Sequence, residues 1–166
     1  MPKYTAGNFV VHGHEICKVD KIIKNYRDNQ DFYKLCSAND STLVTYSPVA
    51  SQDKLLRPII SRKEAEKLIE RIPDIDVVAI VPLNAEAIYS SMIRSGRHED
   101  IIGVIKTSYL RCEEKARKKQ PKQEKDKVYL RLAEKMLYDE FAVALDKTFD
   151  EVKSYIVKRV GELQSA

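Results

Sequence analysis

Apolar residues in the first 60 positions come in short runs separated by polar turns. Phe9-Val10-Val11 is the first run. Ile16, Val19, Ile22 and Ile23 lie in a longer β-rich stretch that ends at the polar turn Asn25 to Asp31. Phe32, Tyr33 and Leu35 form a third run, closed by Ala38-Asn39-Asp40-Ser41. Thr42 to Tyr46 is a fourth, stopped by Pro48, and Leu55, Leu56, Ile59 and Ile60 around Pro58 supply a fifth. Short runs at this spacing, with no helical period between them, predict a small antiparallel barrel or sandwich. Within it, Leu43 to Tyr46 is the expected edge strand, because proline is tolerated where no ladder donor is required.

At Ser61 the period changes. Ser61-Arg62-Lys63-Glu64 is a capping-box pattern, and Ala65, Leu68, Ile69 and Ile72 follow at i, i+3, i+4 and i+7 until Pro73. Asp74 to Leu83 is apolar but aperiodic and predicts a linker or packed extended segment. A second helix is expected from Asn84 as its cap, with Ala85, Ile88, Tyr89, Met92 and Ile93 inward and Gly96 as its end. A third spans about Glu99 to Ala116, with Ile101, Ile102, Ile105, Tyr109 and Cys112 on one side. Arg117 to Asp126 reads as a charged loop. A fourth helix covers about Lys127 to Leu145, with Leu132, Ala133, Met136, Leu137 and Phe141 inward. A second capping box, Thr148-Phe149-Asp150-Glu151, opens a fifth helix that frays from Gly161. The expected fold class is α+β in two segregated domains: a β domain over 1–60 and an all-α domain of about five helices over 61–166.

Composition narrows the setting. The longest apolar run, Val77 to Leu83, is far too short to span a bilayer, and no secretory signal is visible at the start. Three cysteines, Cys17, Cys36 and Cys112, have no framework spacing and suit a reducing cytosol. A cytoplasmic protein without a membrane partner, monomeric when free, is expected.

Charge adds a direction. Twelve of the 29 basic residues fall between Arg94 and Arg131, against six acidic ones, and the rest of the chain has a slight acidic excess. The stretch Lys115 to Lys127 alone holds seven Lys/Arg. Such concentration points to a polyanionic partner, nucleic acid first, since each neutralised phosphate releases condensed counterions. A solvated helix-loop-helix surface accounts for the same pattern without a partner. The candidate DNA-contacting residues are Arg94, Arg97, Lys106, Arg111, Lys115, Arg117, Lys118, Lys119 and Lys122. Duplex contact without sequence preference is favoured over single-strand stacking, because only Tyr109 and Tyr129 flank the basic run.

Other chemistry is thin. His12, His14 and Cys17 make H-x-H-x-x-C, but zinc needs about four donors and His98, Cys36 and Cys112 have no spacing that completes a set. A strand-turn-strand with two histidines and a buried thiol is the competing reading, and it is preferred. Acidic pairs such as Asp74/Asp76 and Asp139/Glu140 fall at helix starts or solvent faces. No phosphate-loop, dinucleotide or nucleophile-elbow motif is present, and five glycines leave little room for one. No catalytic residue, metal or cofactor is expected.

The chain resembles the CarD/CdnL-type bacterial transcription regulators, particularly forms typical of Gram-positive bacteria. The markers run from about Tyr4 to Val160. They include Gly7-Asn8-Phe9-Val10-Val11, Ile16-Cys17-Lys18-Val19, Asp53-Lys54-Leu55-Leu56-Arg57-Pro58 and Ile72-Pro73-Asp74-Ile75-Asp76. Ser95-Gly96, Ile105-Lys106-Thr107, Tyr109-Leu110-Arg111 and Ala133-Glu134-Lys135-Met136-Leu137-Tyr138 follow in order. The resemblance implies a Tudor-like β-barrel that binds the RNA polymerase β subunit, a domain type also found in transcription-repair coupling factors. It further implies a helical domain that approaches promoter DNA at the upstream edge of the melted region and changes open-complex stability. The region facing polymerase would then include Thr45, Tyr46, Ser47 and Pro48, with Lys24 or Arg27 nearby. A protein-interaction adaptor that binds polymerase or another partner without touching DNA is the alternative.

The chain departs from that family in two places. Val10-Val11 is followed by His12-Gly13-His14-Glu15, one residue shorter than the usual pattern. Many members also place a tryptophan against the minor groove, where an aromatic wedge holds bases apart, and this chain has no Trp. Tyr89 is the nearest aromatic, and its helical spacing with Ile88, Met92 and Ile93 favours a core role.

Overall fold

The structure is a computed structural model and describes residues 1–165. It divides into two compact units, Met1–Ile60 and Ser61–Ala166.

The first unit is one antiparallel sheet. Its strands are β1 (Phe9–His12), β2 (Glu15–Arg27), β3 (Gln30–Ser37), β4 (Val44–Pro48) and β5 (Leu56–Pro58). The spatial order is β4-β3-β2-β1-β5, so β4 and β5 are the two edges and the sheet does not close on itself. Period-2 alternation places Cys17 and Val19 of β2 and Tyr33 and Leu35 of β3 in one apolar cluster with Val10, Val49 and Leu56. The β2–β3 hairpin turns at Asp28-Asn29, both at positive φ (51° and 60°), between the paired Arg27 and Gln30. Two consecutive left-handed residues make the tight hairpin turn whose twist suits antiparallel strands. The turn is thus narrower than the Asn25–Asp31 span expected.

A 3-10 turn (Val49–Ser51) and one helical turn, α1 (Gln52–Leu55), interrupt the strands before β5. They place Gln52 under the core. Its Oε1 accepts from the Tyr33 hydroxyl and from the Lys3 amide (2.8 Å), and its Nε2 donates to the Met1 carbonyl at 2.8 Å. A single buried amide therefore holds the N-terminal segment against the sheet.

The second unit holds five helices: α2 (Arg62–Arg71), α3 (Ala85–Ser95), α4 (His98–Arg117), α5 (Glu124–Leu145) and α6 (Phe149–Ser165). Ser61 Oγ accepts from the Glu64 amide at 3.1 Å. The Thr148–Glu151 box is reciprocal, with bonds of 3.1 and 3.2 Å. Gly96 ends α3 at φ 68°. Asn84 precedes α3, but its side chain turns back to accept from the Val81 amide at 2.8 Å and does not cap the helix. Two further boundaries differ from expectation. α5 begins at Glu124, because Asp126 is a buried member of its first turn, and α6 runs through Gly161 to Ser165. The core is built from Leu68 and Ile69 of α2, Tyr89 and Ile93 of α3, and Ile101, Ile102 and Val104 of α4. Leu137 and Phe141 of α5 and Val152 and Ile156 of α6 join it, with Ile80, Tyr138 and Leu145 among the other buried residues. No helix among the described residues is long and apolar enough to cross a membrane.

Candidate functional site

The open edge of the sheet is the first candidate surface. β4 pairs only with β3, in the register Phe32↔Pro48, Tyr33↔Ser47, Lys34↔Tyr46, Leu35↔Thr45 and Cys36↔Val44. Just ahead of it, the Ser37 amide donates to the Leu43 carbonyl at 3.0 Å. The Leu43 amide donates to the Asp40 carbonyl at 3.0 Å; beyond it pairing alternates, so Thr45 and Ser47 direct their main-chain groups at β3, whereas Val44, Tyr46 and Pro48 direct theirs at the open edge. Pro48 has no N–H and stands where none is needed.

The side chains beside this edge are aromatic. Tyr26 and Tyr46 stack with centroids 4.7 Å apart and planes 14° from parallel, and Phe32 lies 5.3 Å from Tyr26. Tyr26, Leu43, Val44 and Tyr46 are all at least 40% exposed. Of the residues predicted to meet a partner, Thr45 and Tyr46 are exposed, Pro48 is half-buried and Arg27 lies exposed at the end of β2. Lys24 is exposed and pairs with Asp31 at 3.0 Å. Ser47 is 1% exposed, so its side chain is not on this surface. Its hydroxyl is buried without a hydrogen-bond partner. Tyr26 was missed because it sits in a polar stretch, Lys24 to Arg27. The available signal was its place on the long β-rich run.

The cationic strip is the second candidate, and the fold divides it. Lys106 is an internally engaged cation. Its ammonium donates to the carbonyls of Ile72 (2.7 Å), Pro73 and Ile75, closing the end of α2 and the turn after it. Arg111 is another. Its Nε lies 3.0 Å from both Asp126 oxygens and its Nη1 donates to the Ile80 carbonyl at 2.7 Å. Neither residue is a spare surface cation.

Lys118 and Arg117 share Glu114, at 3.0 and 3.9 Å, and the Lys118 hydrogen bond holds that carboxyl below the usual carboxylate range. Lys125 pairs with Glu86, whose carboxyl is lowered by Lys125 and by the Tyr129 hydroxyl. Lys115 is half-buried beside Gln120. Arg94, Arg97, Lys119 and Lys122 are exposed and form no ion pair with a described residue. Helical geometry also separates the strip. Lys115 and Lys118 border Ile80–Pro82 on one side of α4, whereas Lys122, Lys127 and Arg131 gather on the other.

Tyr89 is fully buried and donates to Asp126 Oδ1 at 2.6 Å. Burial, then that bond, pushes its phenol well above the ordinary range. It is a core residue and cannot reach a base. Leu83, just before α3, is 97% exposed.

His12 and His14 lie at the β1–β2 turn and Cys17 faces the core, where burial, with Glu15 nearby, raises its thiol to about 11. Among the described residues no three His, Cys, Asp or Glu side chains gather as a metal would require. No family model matches the chain, and no curated protein matches it.

Proposed function

We propose that this chain is a non-enzymatic transcription regulator of the CarD type. Its N-terminal sheet binds the RNA polymerase β subunit by strand addition, and its helical unit contacts promoter duplex DNA without sequence preference, altering open-complex stability. The observation that carries this reading is the β4 edge: outward main-chain groups at Val44 and Tyr46, flanked by the Tyr26–Tyr46 stack. An added strand gains main-chain hydrogen bonds there and aromatic surface beside them. On this reading the open sheet serves as the Tudor-like module, and the protein travels with polymerase on the nucleoid.

DNA contact rests on the exposed members of the cationic set, Arg94, Arg97, Arg117, Lys118, Lys119 and Lys122, with the half-buried Lys115 beside them in sequence. With Tyr89 buried, base separation has no aromatic support from α3. On this reading the exposed Leu83 would be the side chain that enters a groove, a role leucine plays in other minor-groove proteins.

The deciding experiment is a pull-down of core polymerase by the full chain and by Val44→Pro, joined to a salt-dependent duplex shift. Retention by wild type and loss in the variant supports the reading. Equal retention by both removes strand addition. One observation favours the adaptor alternative: several basic residues are already paired with Glu86, Glu114 or Glu124. Polymerase binding with no duplex shift at low salt selects that alternative.

A further inference from the structure

Tyr109 has the spacing of a core residue of α4 but lies outside the core. It follows Ile101, Ile102 and Ile105 in the apolar pattern, yet 52% of it is exposed. Its ring packs on no other aromatic ring among the described residues. It borders a cleft of about 480 Å³ within the helical unit, walled by α4, α5 and the first turns of α6.

Helical spacing assembles this cleft. Tyr109, Cys112 and Glu113 stand at i, i+3 and i+4 on α4. Lys127, Leu130, Arg131 and Glu134 stand at i, i+3, i+4 and i+7 on α5, and Phe149 and Lys153 at i and i+4 on α6. Lys122 enters from the α4–α5 loop. Four cations thus face two carboxylates, beside an open phenol ring and two apolar side chains.

The cations are available. Lys122 and Arg131 are exposed and pair with no described acidic residue. Lys127 lies 3.1 Å from Glu124 and Lys153 3.2 Å from Glu134, and both lysines are about half exposed. The Lys127–Glu124 pair is exposed on both sides and contributes little, so Lys127 exchanges its carboxylate for a phosphate at little cost, whereas Lys153 is tied to the mostly buried Glu134. Lys122 and Lys127 act on the Cys112 thiol in the cleft wall, against the burial and the nearby Asp126 that raise it.

A bare basic patch would take any polyanion. This cleft adds a ring for stacking and carboxylates that accept from hydroxyl or amino groups. We propose that it binds a nucleoside triphosphate. The base stacks on Tyr109, the phosphates meet Lys122, Arg131 and Lys153, and Glu113 accepts from the sugar or base. The cleft opens on the side of α4 opposite Lys115 and Lys118, and the inference does not depend on the polymerase reading.

Calorimetry of the full chain with ATP, GTP, inorganic tripolyphosphate and a short DNA duplex tests it. One-to-one binding of ATP or GTP in the range of about 10–100 μM is expected. Arg131→Glu should weaken it about tenfold or more, with the fold intact because the residue is exposed. Tyr109→Ala should weaken nucleotide binding about fivefold or more, the range of a lost base stack, and leave tripolyphosphate unchanged. Tyr109→Phe should restore the nucleotide affinity. Three outcomes overturn the proposal. The first is no saturable nucleotide binding up to about 1 mM. The second is tripolyphosphate binding as tightly as nucleotide with Tyr109→Ala affecting neither. The third is duplex displacing nucleotide while Arg131→Glu abolishes duplex binding, which assigns the cleft to the nucleic-acid backbone.

Discussion

Arg111 and Asp126 meet inside the helical unit, with the guanidinium Nε 3.0 Å from each carboxylate oxygen. The same carboxylate accepts from Tyr89, and the same arginine holds the Ile80 carbonyl. One buried acid thereby joins α3, α4, α5 and the extended segment before α3. Removing the arginine leaves Asp126, 1% exposed, without its counter-charge. Arg111→Ala should cost about 3–5 kcal/mol. Tyr89→Phe, which keeps the ring and removes one bond to a charged acceptor, should cost about 1.5–3 kcal/mol. Exposed Lys119→Ala should stay within about 0.5 kcal/mol of wild type. Urea unfolding of the three variants gives the comparison, and equal midpoints for Arg111→Ala and Lys119→Ala would show the pair to be incidental.

Ser47 has a hydroxyl that is buried and unpaired. Its removal should relieve a desolvation cost, so Ser47→Ala should stabilise the sheet by about 1 kcal/mol. Polymerase binding should not change, because the side chain faces inward. A thermal scan beside a binding assay distinguishes this from a contact role, in which the variant would bind more weakly at unchanged stability.

The edge register makes an asymmetric prediction for proline. At Val44 the amide faces outward, so Val44→Pro removes a donor available only to an added strand. At Thr45 the amide faces β3, so Thr45→Pro removes a ladder bond and should destabilise the sheet. If the edge binds polymerase as proposed, the first variant should fold and lose that binding, whereas the second should lose both fold and binding. Hydrogen exchange on β3 reports the difference.

Duplex affinity should fall with salt less steeply than the linear sequence suggests, since Lys106 and Arg111 are engaged internally. If about three to five exposed cations meet phosphates, the slope of log K against log salt is about −3 to −4.5. Neutralising Lys115, Arg117, Lys118 and Lys119 together should flatten it. A slope near −10 would mean that internal residues are released on binding.

Cys17 sets an alkaline limit for the sheet. The folded chain keeps its thiol protonated to about 11, whereas an unfolded thiol ionises near ~8.5. Between those values the unfolded state releases a proton that the folded state retains. Stability is therefore intact below about pH 8.5 and declines as pH rises toward 11. Denaturation midpoints across that window should fall for wild type and fall less for Cys17→Ala.

Local rules carried much of the architecture. The Thr148–Glu151 box, the Ser61 cap on the Glu64 amide, the Gly96 terminus, and the alternation of Cys17 with Val19 and of Tyr33 with Leu35 depend on residues within one turn or one strand of each other. The misplacements share a cause in distant partners. Asp126 resembled part of a charged loop because nothing in its neighbourhood announces Arg111 and Tyr89. Lys106 resembled a surface cation because its three carbonyl acceptors lie more than 30 positions away. Gln52–Leu55 is one turn, too short to show a period. Asp146 ends α5 in the left-handed region at φ 53°, where glycine would have been the visible signal. The candidate site was legible as a charge excess but not as a surface, because successive helical residues point about 100° apart and a linear cluster spreads over opposite faces.

Strand β5 pairs with β1, Val11 opposite Arg57, across nearly the whole length of the sheet unit. During synthesis the β1–β2 hairpin emerges first and β5 last. At about 5–20 residues per second, β1 waits roughly 2–9 s with its outer flank open. A nascent chain is therefore exposed to wrong pairing at the flank that the finished sheet covers. β4 at the opposite flank remains uncovered after release. The flank of β1 and the flank of β4 thus differ in timing: the first is open only while the chain is being made, and the second stays open on the finished chain until a partner strand covers it.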